Sequence, residues 1–174
     1  MSWQDQGRQE HGWFGHGTAS GSGSLAQATS PDTATDKDSH SHPDEAAAEG
    51  RYVADNPQQW VGQRPVGTGE CVALVRAATG APRTTEWRPG ARVQGDPNIR
   101  PGSAIAVFDD GGRYAGHAAI YLGQDAHGIR VIDQWNIREE GRIVRQHRPS
   151  ERTLPFGQPQ RALINRGEPY RVVE

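Results

Sequence analysis

The sequence predicts an α+β fold: a polar leading segment, one cysteine-bearing helix, then a run of antiparallel strands. Three observations predict it. Apolar residues recur at helical spacing from Cys71 to Ala78, and Gly80 with Pro82 closes that pattern. After Gly102 the pattern changes to short β-rich runs separated by Gly and Asp clusters, with no second long helix to build a βαβ unit. Before Gly50 there is no Val, Ile, Tyr or Cys, and Leu25 is the only branched aliphatic residue. Such a segment buries too little apolar surface to offset the entropy of ordering it. We therefore expect a disordered Gly/Ser/Asp/His-rich segment over 1–50 and one folded domain over 51–174.

The elements follow in order. Ser20 to Ser24 reads as a flexible linker, and the acids around His40 and His42 as a solvated tract, since no fixed ligand spacing accompanies them. Tyr52, Val53, Trp60 and Val61 are apolar enough to dock on the domain edge. Pro65 and the glycines at 67 and 69 then turn the chain into the helix, with Thr68 or Gly69 as N-cap. Trp87-Arg88-Pro89-Gly90 and Arg100-Pro101-Gly102 read as turns. Strands are expected at Ser103–Phe108, His117–Leu122 and Ile129–Trp135, the last two joined by a hairpin-type loop. Short strands are also expected at Ile143–Arg145, Ala162–Asn165 and Tyr170–Val173.

Charge divides where composition does. The leading segment carries eight acids against Arg8 and Lys37, or −6; from Arg51 onward 17 arginines face 13 acids, or +4. A mildly basic domain suits an anionic polymer such as cell wall, and the scattering of the arginines argues against a nucleic-acid stripe. Lys37 is the sole lysine, so lysine-based chemistry is excluded from the folded domain. With a single cysteine there is no internal disulfide. The first residues lack the basic and apolar regions of a Sec signal, and no apolar run approaches the ~20 residues a membrane span needs. No membrane insertion is expected.

Cys71 stands in the predicted first helical turn, where free N–H groups and the helix dipole favour thiolate. It also shares a face with Leu74, Val75 and Ala78, as a small buried hydrophobe does. A nucleophilic role requires a base, and the base a polar group that holds its ring. His117, behind Gly116 at a strand start, is the candidate base. Asp133 on the next strand is the candidate orienting residue, with Gln134 the alternative on the opposite face; register decides between them. His127 falls in a loop tip and His147 in an Arg-rich stretch, so neither is preferred.

Four stretches in this order, Gly69-Glu70-Cys71-Val72-Ala73-Leu74-Val75, Arg100 to Phe108, Gly116-His117-Ala118-Ala119-Ile120-Tyr121-Leu122-Gly123 and Val131-Ile132-Asp133-Gln134-Trp135, resemble the NlpC/CHAP-type cysteine peptidases. Within that superfamily they are most similar to small amidase effectors that bacteria inject by type VI secretion. The resemblance covers about Tyr52 to Trp135. It implies a papain-like fold with Cys71 as nucleophile, His117 as base and Asp133 as orienting residue. It implies that the Cys71 N–H helps hold the oxyanion, a role worth about 2.7–4 kcal/mol per donor. Peptide bonds in peptidoglycan are the implied substrate. Cofactor and metal are implied to be none. Implied partners are the secretion machinery and an immunity protein, with action in a target periplasm.

Three positions depart from the family pattern. Glu70 replaces a common Gln and sets an acid beside the thiol, which disfavours thiolate unless that acid is paired. Ser103 replaces an Asp after the Pro-Gly. The place two residues after Asp133 holds Trp135 rather than Asn, with Asn136 one further on. Two rival readings remain: a deamidase or acyltransferase acting on protein or lipid, and a non-catalytic wall-binding domain that stacks sugars on Trp60, Trp87 and Trp135.

Overall fold

The computed structural model describes residues 50–174. The segment expected to be disordered, with His40 and His42, lies outside the described residues apart from Gly50. Helix α1 spans Cys71–Thr79. The strands are β1 (Pro89–Arg92), β2 (Ala104–Phe108), β3 (Tyr114–Gln124), β4 (Gly128–Asp133), β5 (Asn136–Glu139), β6 (Arg142–Gln146), β7 (Ser150–Pro155) and β8 (Tyr170–Val173). Two 3₁₀ turns, Pro57–Trp60 and Leu163–Asn165, complete the described structure.

Six strands form one antiparallel sheet in the order β1-β8-β2-β3-β4-β7, while β5 and β6 form a separate hairpin. The strands do not form the simple meander that their chain order suggests, because β8 enters between β1 and β2. Alternation within the strands builds two apolar layers. Ala104, Ala106, Ala118, Ile120, Leu122 and Ile132 join Leu74 and Val75 of α1 in one layer. Ile105, Val107, Ala119, Tyr121, Val131 and Leu154 fill the other, with Val93 and Ile99 from the loop after β1. The alanines at 104, 106 and 118 are the small members of the first layer, and small side chains there let a helix lie close to the sheet. Strands buried on both faces read as continuous apolar runs rather than alternating ones, and β2 and β3 do so.

Three expectations are corrected. Pro89-Gly90 opens β1 rather than a turn, since Arg88 exchanges backbone bonds with Glu174 and draws the segment onto β8. Ala162–Asn165 is not a strand: Leu163–Asn165 is a 3₁₀ turn closed by Asn165 N–H on Ala162 O. The N-cap of α1 is Glu70, with no side-chain capping bond. Thr68 and Gly69 belong to a separate turn, in which Gly69 N–H donates to Val66 O at 2.9 Å. At the other end Gly80 N–H bonds Arg76 O, closing the helix at the predicted place.

Candidate active site

Register sets the chemistry. On β3 and β4 the ladder pairs Ile120 with Ile132. One residue further, Asp133 lies opposite Ala119, so it shares a face with His117 and sits diagonally from it. On the other side β4 pairs Asp133 with Ser150, which places Arg152 on the same face, again one diagonal away. Three adjacent strands thus each contribute one side chain to a line, His117–Asp133–Arg152.

The distances follow that line. His117 Nε2 is 2.7 Å from Asp133 Oδ2. Arg152 Nε donates to both Asp133 oxygens, at 3.1 and 2.8 Å, and its NH2 lies 2.6 Å from Oδ2. Arg152 NH1 is held by Asn165 Oδ1 at 3.0 Å. Asp133 is fully buried, and burial raises its carboxyl, but His117 and Arg152 outweigh that and hold it below the usual carboxylate range. With Nε2–H given to Asp133, the 3.4 Å approach of Arg152 NH2 to Nε2 is a contact between two donors.

That arrangement turns the other imidazole nitrogen toward Cys71, the first residue of α1. Burial pushes the thiol up, yet the hydrogen bond and charge of His117, the Tyr114 hydroxyl and the Ala118 N–H bring it below its ordinary value. The Tyr114 hydroxyl is 3.3 Å from Sγ. Burial lowers His117, but Asp133 and the sulfur outweigh it and raise the ring to about 9. The arrangement favours a thiolate–imidazolium pair.

Glu70 does not oppose it. Its carboxylate accepts Asn136 Nδ2 at 2.8 Å and pairs with Arg138, and these contacts lower it and balance its charge. Gln134 is also fully buried, but it faces away from His117. Its amide accepts Val66 N–H and donates to Val66 O and Glu70 O, each at 2.9 Å, and so pins the loop that delivers Cys71. Gly69 allows the β5–β6 hairpin to close on this loop. It lies at φ 78, and a Cβ there would sit 2.2 Å from Gln146 Nε2. Ser103 serves its turn by donating to Arg100 O at 2.7 Å.

A cleft of about 390 Å³ opens over these groups, lined by Cys71, His117, Trp135, Arg152, Ile164 and Asn165 among others. A family model described as "Domesticated amidase effector 2" matches residues 45–170. The chain belongs to the domesticated amidase effector 2 family.

The family match extends well past Trp135, where the motif resemblance ends, and takes in Arg152 and Asn165. A Salmonella typhi protein named "Type VI secretion amidase effector 2 protein" is 42% identical over 71 residues, covering 38% of this chain and 53% of that one. An Ixodes scapularis "Domesticated amidase effector 2" is 38% identical over 90 residues, covering 48% and 63%. The chain thus aligns with less than two thirds of either curated relative. A solved structure, "Type 6 secretion amidase effector 2 (Tae2)", superposes with a TM-score of 0.60 at 32% identity, covering 71% of this chain and 94% of the other. The family's papain-like arrangement accords with the α1-on-sheet architecture.

The three tryptophans separate. Trp87 cannot stack a sugar: it is fully buried, with Nε1 bonded to Pro82 O at 3.1 Å. Trp60 packs half-buried against the core on the α1 side. Trp135 lines the cleft, with its ring stacked on His147 at 4.0 Å and the Arg152 guanidinium 5.3 Å from its centroid. His147 meets the tryptophan, not the thiol. Arg152, Asn165 and Tyr114 are site residues that sequence reasoning missed. No sequence signal marks Arg152, since it reaches Asp133 only once the β4–β7 register is known.

Proposed function

We propose that this protein is a cysteine amidase that hydrolyses stem-peptide or cross-link amide bonds of peptidoglycan. Cys71 is its nucleophile, His117 its general base and acid, and Asp133 the residue that orients the imidazole. The observation that carries the reading is the buried His117 Nε2–Asp133 Oδ2 bond of 2.7 Å, behind a thiol held below its ordinary value at a helix N-terminus.

The thiolate attacks the amide carbonyl carbon, forming the C–S bond and sending the C=O π pair to oxygen. The Cys71 N–H, in the first turn of α1, is the backbone donor for that oxyanion. As the oxygen pair returns, the C–N bond breaks and the imidazolium gives its proton to the leaving amine. His117 then takes a proton from water as the water attacks the thioester, and Cys71 leaves as thiolate. Throughout, Asp133 keeps Nε2–H bonded, while Arg152 keeps Asp133 ionised within the fold.

The Salmonella relative's printed name supports delivery by a type VI secretion machine, and that route implies action in the periplasm of a target cell and an immunity protein in the producer. Purified protein and its Cys71→Ala form, incubated with sacculi, test the chemistry. The wild type is expected to release new amine ends visible by mass spectrometry, and Cys71→Ala none. Equal product from both overturns the role of Cys71. Intact sacculi with a wild type that still takes up a thiol-directed probe moves the substrate to protein or lipid amides.

A further inference from the structure

Tyr114 and His117 are three residues apart on β3, so on an unbroken strand their side chains would point to opposite faces. Both nevertheless meet Cys71 Sγ. The ladder explains how. β2 and β3 pair Ala106 with Ala118 but Phe108 with Tyr114, so two steps on β2 oppose four on β3. The surplus sits around Gly116, at φ 98, which a side-chain-bearing residue rarely adopts. Bulges beside reactive sites commonly re-aim a side chain; the even surplus keeps Tyr114 on the Ala118 face that packs on α1, and the irregularity lies between it and His117.

The ring is also held. Trp87, fully buried and fixed through Nε1, meets Tyr114 edge-on at 5.4 Å and 83°. Burial and the neighbouring thiolate push the phenol up, so its hydroxyl keeps its proton; against a thiolate it can only donate. In the resting site that proton points at sulfur, 3.3 Å away. Tyr114 also lines a second cleft, of about 730 Å³, which shares Glu70 with the His117 cleft. A substrate chain crossing Cys71 from one cleft to the other carries its carbonyl past the hydroxyl.

The geometry points to Tyr114 as a catalytic residue, the side-chain donor of the oxyanion hole beside the Cys71 N–H. This rests on the amidase reading above. When the C–S bond forms and the carbonyl π pair moves to oxygen, negative charge leaves the sulfur for an atom bonded to the same carbon. The hydroxyl then passes its hydrogen bond from sulfur to that oxygen. No proton is transferred, and the bond weakens again as the C–N bond breaks.

Tyr114→Phe separates this from a resting-state role, because it keeps the ring on Trp87 and removes only the hydroxyl. Two rates are compared in the full-length protein: turnover of saturating soluble muropeptides, and alkylation of Cys71 by iodoacetamide, a displacement that makes no oxyanion. The expected result is a fall in turnover of about 10²-fold, the scale of one oxyanion donor, with alkylation within about threefold of wild type. Unchanged turnover overturns the proposal, as do equal losses in both rates, which assign the hydroxyl to the thiolate alone. Cys71→Ala is the parallel control: muropeptide turnover surviving in it overturns the amidase reading and the Tyr114 role with it, whereas a dead Cys71→Ala beside an unimpaired Tyr114→Phe overturns Tyr114 alone.

Discussion

Cys71 and His117 are displaced on the pH scale in opposite senses, and in each case the partner overcomes burial. The thiol falls below its ordinary value while the imidazole rises to about 9, so the ion pair occupies the interval between them. Turnover is expected to rise through the lowered thiol value and fall through pH about 9, in a kcat/KM profile measured from about pH 5 to 10. The two limbs belong to the pair rather than to either residue. In His117→Ala the limb for Cys71 alkylation should move up, as the thiol loses both hydrogen bond and charge. Because the folded value of His117 lies above its unfolded one, its stabilisation is complete below ~6.5 and is lost as pH rises through about 9. Cys71 was legible because it opens the helix two residues after Gly69, and His117 because it follows Gly116 ahead of the apolar run of β3, though the strand itself begins at Tyr114. Asp133 and Gln134, adjacent and both buried, were separable only by register. Arg152 was not legible: it is one of 17 scattered arginines, and the carboxylate it meets lies on another strand.

At the scale of elements, the loop from Val66 to Glu70 is held by side chains from later in the chain. Gln134 takes Val66 N–H, Val66 O and Glu70 O, while Asn136 and Gln146 both donate to Thr68 O. Gln134→Leu deprives three backbone groups of their partner, at about 1–3 kcal/mol for each that stays buried. Amide exchange is expected to quicken across Val66–Cys71 but not in β8, with turnover falling alongside. Equal quickening in both places would make the loss global and remove Gln134 from the positioning of Cys71. The helix was readable from its period and its Gly80–Pro82 stop, and β2, β3 and β4 from dense Val, Ile and Ala. β7, Ser-Glu-Arg-Thr-Leu-Pro, was hidden because only Leu154 is fully buried and its register is supplied by β4. β1 was hidden by Pro-Gly, which marks a turn unless a partner strand claims it, and here β8 does.

For the described molecule as a whole, the charge from Arg51 onward is +4, and it is carried by arginines dispersed over the surface. On the proposed substrate, an anionic sacculus, this charge gives weak general attraction, screened within a Debye length of about 10 Å at 0.1 M salt. Raising salt from 0.05 to 0.5 M is expected to slow release from sacculi several-fold and to leave hydrolysis of small soluble muropeptides within about twofold. Equal slowing of both would place the salt effect in the site and not in the approach. The position of β8 has a consequence of another kind. The pairings of β8 join Pro89 to Val173 and Ile105 to Val172, partners distant along the chain, so long loops close before those contacts stabilise anything. Refolding from denaturant should accordingly be slow for a domain of this size. The thiol proposed as nucleophile stands 43 residues from Tyr114, so on an unfinished chain it stays an ordinary cysteine until β3 has closed on α1.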